Sequence, residues 1–86
     1  MESKLAACVS ILPGIESIYT WEEKLKTESE VQLLIKATQE TFPVLEKVLS
    51  ERHPYDTPEI IALTPSAASE AYGNWVTEQC HLPQAD

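Results

Sequence analysis

The sequence predicts a small α+β domain, with a mainly antiparallel sheet and helices on one face. Three observations carry this. Val31, Leu33, Ile35 and Ala37 alternate with Gln32, Leu34, Lys36 and Thr38, the period of two of a strand with one core face. Ile15 to Trp21 is rich in β-branched and aromatic residues. Two stretches, around 41–53 and 69–80, repeat their apolar residues at helical spacing. The chain has 86 residues, which implies one domain over 1–86, structured from Lys4 to about Cys80, with 81–86 a flexible tail.

Taken in order, Leu5-Ala6-Ala7-Cys8 is compatible with a helix but too short to form one alone. Val9 to Leu12 is β-prone, and Pro13-Gly14 reads as a turn that closes it. The strand over Ile15–Trp21 carries apolar groups on both faces, which predicts cover on both sides. Glu22 to Ser29 is polar and reads as a connection or hairpin tip, leading into a strand over Glu30–Thr38. Thr41 is the expected N-cap of the first helix, with Pro43 in its first turn, where a missing N–H costs little. Phe42, Leu45, Val48 and Leu49 form its apolar stripe. Arg52 and His53 fall in its last turn, where positive charge suits the helix dipole, and Pro54 ends it. Glu59 to Leu63 reads as a short buried strand. The last helix runs from about Ser69 to Cys80 on Ala71, Tyr72, Trp75 and Val76.

Composition narrows function. Six Lys and Arg stand against 14 Asp and Glu, a formal charge of −8, which argues against nucleic acid and anionic membrane surfaces. No apolar run approaches the roughly 18 residues of a membrane span. The opening Met1-Glu2-Ser3-Lys4 lacks a secretion-signal layout, so a cytoplasmic location is expected. Two cysteines without a CxxC argue against a disulfide framework. No GxSxG, Walker A or HExxH is present, and no catalysis is expected.

Lys4-Leu5-Ala6-Ala7-Cys8-Val9 with Ile11-Leu12-Pro13-Gly14 forms one recognisable segment. Ser17-Ile18-Tyr19-Thr20-Trp21-Glu22-Glu23-Lys24, continued by Glu30-Val31 and Lys36-Ala37-Thr38, forms a second. His53-Pro54-Tyr55-Asp56-Thr57-Pro58-Glu59-Ile60-Ile61-Ala62-Leu63 forms a third. In this order and spacing the chain resembles the CutA divalent-cation-tolerance family, from about Lys4 through Trp75. The resemblance implies a ferredoxin-like fold, a homotrimer built like the PII signalling proteins, and copper or another divalent cation as ligand. It implies no known reaction and no organic cofactor. Against the family pattern the first strand and most of the first helix are missing, so the remaining order is β-β-α-β-α. The expectation is an N-terminally truncated domain, or one that borrows a strand from another chain.

The candidate metal ligands are His53, Cys8 and Glu59. One imidazole and two carboxylates, Asp56 and Glu59, on a loop stiffened by Pro54 and Pro58, suit a transition metal. The plain alternative is a helix C-cap with local hydrogen bonds. The family's copper proposal uses a first-strand cysteine and two adjacent histidines before Pro-Tyr. Here Arg52 takes the place of the first histidine, and a guanidinium cannot ligate. Cys8 has a plain alternative as a small buried hydrophobe. Cys80-His81 is a soft-ligand pair near a chain end. Glu22, Glu23, Glu28 and Glu30 crowd the hairpin, as a solvated face does. Tyr55, Lys36 and Arg52 are candidates for an inter-subunit cleft, and Tyr19 and Trp21 for the trimer interface. A second reading is a PII-like sensor of a small anionic metabolite, in which Arg52 and Lys36 outweigh His53.

Overall fold

The computed structural model describes residues 4–54 and 57–83. Its elements are β1 (Cys8–Trp21), β2 (Lys24–Lys36), α1 (Phe42–Arg52) and α2 (Glu70–Gln79). β1 and β2 form an antiparallel two-stranded sheet, with Cys8 opposite Lys36 at one end and Trp21 opposite Lys24 at the other.

The hairpin is longer than the sequence alone predicts. Lys24 to Ser29 belong to β2, and the tip is only Glu22-Glu23. Both tip residues have positive φ, 52° and 65°, as a two-residue type I′ turn requires. That turn matches the right-handed twist of the strands, but glutamate is a poor occupant of left-handed backbone. Changing Glu22 to Asn and Glu23 to Gly is therefore expected to add about 1 kcal/mol of stability. Urea unfolding would show this as a higher midpoint at unchanged slope. A lower midpoint would mean the glutamate side chains hold the turn.

Pro13-Gly14 does not end a strand. Leu12 pairs with Gln32 and Ile15 with Glu30, so Pro13 and Gly14 face the single residue Val31 across a β-bulge. Gly14 takes φ 74°, which an L side chain rarely adopts. A bulge keeps the ladder running while bending and twisting the strand.

Alternation along β2 sorts the sheet into two faces. Val31, Leu33, Ile35 and Leu25 share one face with their partners Ile11, Val9 and Thr20, and with Ile18 opposite Thr27. The period-two pattern placed these β2 residues together, but the face is not a core within this chain. Ile11 is 67% exposed, Leu33 49% and Val31 58%. The other face carries Cys8, Ser10, Leu12, Tyr19 and Trp21, and α2 lies over its Cys8 end.

Among the described residues the buried set is Leu5, Ala6, Ala7, Thr41, Val76 and Cys80. Leu5 to Ala7 form no helix, yet they supply half of the core in a bend before β1. Ala7, Val76 and Cys80 cluster, with Ala37 packed against them. The Thr41 hydroxyl donates to the Leu5 carbonyl at 2.9 Å, tying this segment to the start of α1. Thr41 is the N-cap residue by position but caps nothing with its side chain. Ser69 does cap α2, accepting from the Tyr72 N–H at 3.3 Å. The His81 N–H donates to the Lys4 carbonyl at 2.7 Å, so the expected loose tail is fastened at its first residue.

The expected strand over Glu59–Leu63 is not formed. Ile61 and Leu63 are 68% and 85% exposed, and the segment pairs with neither strand. A β-prone sequence becomes a strand only when a neighbour takes its N–H and C=O groups. The radius of gyration, 15.4 Å, exceeds the roughly 12 Å typical of a compact chain this size.

Candidate functional site

The candidate ligands fall into separate places. His53 is the C-cap residue of α1, with φ −78° and ψ 139°, and its N–H closes the helix on the Leu49 carbonyl at 2.9 Å. This extended turn delivers the chain to the bulge. Gly14, Ser29, Glu30, Val31, His53 and Pro54 line one open cleft of about 400 Å³. Its polar groups are an imidazole, a carboxylate and a hydroxyl. Glu30 is half-buried, whereas Glu22, Glu23 and Glu28 are exposed.

Cys8 contributes to a different constellation. Its Sγ lies 3.5 Å from the Tyr72 hydroxyl. The Tyr72 phenol is held above its ordinary value of 10.0, first by that hydrogen bond, then by burial and by the charge Cys8 carries when ionised. Tyr72 also stacks at a tilt on Trp75, with centroids 5.9 Å apart. Opposite Cys8, the Lys36 ammonium donates to the Ser10 hydroxyl and to the Leu34 carbonyl.

Glu59 is exposed and does not line the cleft. Among the described residues, no three His, Cys, Asp or Glu side chains are grouped to hold a metal. The structure thus brings together His53 and Glu30, and it does not gather His53, Cys8 and Glu59 within one chain. Arg52, beside His53, is exposed at the end of α1. Tyr55 and Asp56 lie outside the described residues. Tyr19 faces Lys26 and Trp21 faces Lys24 across the ladder, and Trp21 is 56% exposed. Both cysteines are free thiols.

Glu30 appears in sequence only as one carboxylate in an acidic run. What distinguishes it is its place directly after the bulge, opposite Ile15. The signal was Pro13-Gly14 embedded in a β-prone stretch, which marks a bulge as well as it marks a turn.

No described helix is long and apolar enough to cross a membrane. Residues 1–79 match the family model of the CutA1 divalent ion tolerance protein. A divalent-cation tolerance protein CutA from Pectobacterium atrosepticum is 46% identical over 76 residues, 88% of this chain and 69% of that one. A chloroplastic CutA from Arabidopsis thaliana is 45% identical over 88% of this chain, which spans only 42% of it. Among solved structures, the divalent cation tolerance protein of Thermus thermophilus superposes with TM-score 0.89 at 40% identity, over 93% of this chain and 78% of that one. The PII-like protein CutA from Nostoc sp. PCC 7120, in apo form, superposes with TM-score 0.88 at 31% identity, covering 95% and 80%. The fold is the ferredoxin-like α+β arrangement of these relatives.

Proposed function

The chain belongs to the CutA1 divalent ion tolerance family, and on that basis we propose a homotrimeric protein of divalent-metal response, binding copper or another divalent cation without catalysis of its own. The observation that supports assembly is the uncovered sheet face, with Ile11, Val31 and Leu33 each about half exposed or more. Apolar surface of this extent on a short chain marks an interaction site. Tyr19 and Trp21, on the other face, are proposed as further contacts to a neighbouring copy. The free thiols Cys8 and Cys80 support a reducing, cytoplasmic setting.

For the metal, His53 is the proposed first ligand. A neutral imidazole suits borderline divalent ions. Among the described residues the donors grouped in one chain are too few to close a site, so Cys8 and Glu59 enter only as donors from another copy. Copper(II) titration by calorimetry tests this. His53→Ala is expected to weaken binding at least about tenfold, the lower end of what even outer-shell partners contribute to metal affinity. A variant that binds like the wild type removes His53 from the site.

The sensor of a small anionic metabolite is the second reading, supported by the PII-like description of the Nostoc relative. Arg52 is exposed and suits an anion. Lys36 is less available, because its ammonium is already held by Ser10 and the Leu34 carbonyl.

A further inference from the structure

We infer that Lys4 to Ala7 form a strap that ties the sheet to both helices and opens as a single unit. The segment has no helix or strand structure of its own, yet three elements end on its backbone. The His81 N–H, just past α2, donates to the Lys4 carbonyl at 2.7 Å. The Thr41 hydroxyl, at the start of α1, donates to the Leu5 carbonyl at 2.9 Å. The Ala7 N–H donates at 2.7 Å to the carbonyl of Lys36, the last residue of β2. Outside the hairpin the described elements hardly approach one another, so these bonds carry much of the connection between them.

Burial makes the ties interdependent. Leu5, Ala6 and Ala7 are buried, and Ala7 packs against Val76 and Cys80. A buried N–H or C=O left without a partner is costly, so the segment does not rest half released. Losing one tie exposes its neighbours to water, and the others follow. The closed form also holds a poorly favoured conformation. Lys4 takes φ 62°, left-handed backbone that disfavours a residue with a side chain, and its bond to His81 offsets that cost. A short segment under this load belongs to the least stable, first-opening part of a fold. The strap thereby couples α2, whose Tyr72 lies over Cys8, to α1, which ends at His53. The Cys80 thiol, 7% exposed in the cluster with Ala7, reports the opening.

The test is native-state hydrogen exchange on the full chain, with maleimide labelling of Cys80 resolved from Cys8 by peptide mass. In the wild type the Ala7 and His81 amides and the Cys80 thiol are expected to share one opening equilibrium, agreeing within about fivefold. A wider spread overturns the single unit, and this measurement stands even where a variant fails to fold. Thr41→Val is expected to raise opening at all three at least about fivefold. The His53 amide, bonded within α1 to the Leu49 carbonyl, is expected to keep its wild-type rate. His81→Pro removes the N–H at the other end of the strap. Cys80 already has ψ 125°, the extended backbone that suits a residue before proline. This variant is expected to speed Ala7 exchange and Cys80 labelling with Thr41 untouched. Thr41→Val that leaves Cys80 as protected as before, or His81→Pro that leaves Ala7 so, overturns the coupling. Equal acceleration at His53 reports global unfolding and overturns the strap as a separate unit.

Discussion

Leu33→Glu is expected to convert the proposed trimer into monomers. Leu33 pairs with Ile11 at the centre of the uncovered face and keeps 49% of its surface exposed within the chain. Burying the remainder against a neighbour contributes about 1 kcal/mol per copy. A glutamate in its place loses that contribution and brings a carboxylate into an apolar contact, at a cost of several kcal/mol per ion. The penalty recurs in every copy of a closed ring, so association fails as a whole. Light scattering coupled to gel filtration reads the mass directly. Circular dichroism checks whether the separated chains keep their hairpin. A variant that retains the wild-type mass places the contact elsewhere, and a monomeric wild type removes the trimer itself.

The second large effect is expected at Thr41. Its side chain is 1% exposed, and its hydroxyl donates to the Leu5 carbonyl at 2.9 Å. Thr41→Val keeps the shape and leaves that carbonyl buried without a partner. The expected loss is about 1–3 kcal/mol. Small domains hold only about 5–15 kcal/mol in total, so this is a large share of the margin. Urea unfolding measures it, and Thr41→Ser, which keeps the hydroxyl, is expected to recover most of the loss. A Thr41→Val variant as stable as the wild type would show that water satisfies the Leu5 carbonyl.

Periodic local patterns were legible, and features that depend on distant partners were not. The alternation from Val31 to Ile35 correctly placed these residues on one face, because side-chain direction follows from backbone geometry alone. Ser69 and Cys80 bound α2 as its apolar spacing predicts. Glu59 to Leu63 has strand composition, but a strand needs a neighbour, and composition does not supply one. The role of Thr41 was hidden in the same way. Its position announces an N-cap, whereas its hydroxyl serves a carbonyl 36 residues earlier. The place of His53 at the end of α1 was legible from the helix pattern. That Glu30 lines the same cleft was not, because it depends on how α1 returns to the hairpin.

The extra residue in β1 also has a genetic meaning. Across the bulge Pro13 and Gly14 together stand opposite the one residue Val31, so Leu12 and Ile15 share a face, opposite Gln32 and Glu30. Losing one codon there would regularise the ladder and leave Ile15 to Trp21 opposite the same partners, on the same faces. A codon lost between Ile15 and Trp21 has no such buffer, and would turn the residues on one side of it to the opposite face of the sheet. The bulge is thus a place where this stretch of the gene can change length without changing which side chains meet across the hairpin. Elsewhere in β1, substitution has room to drift and changes of length do not.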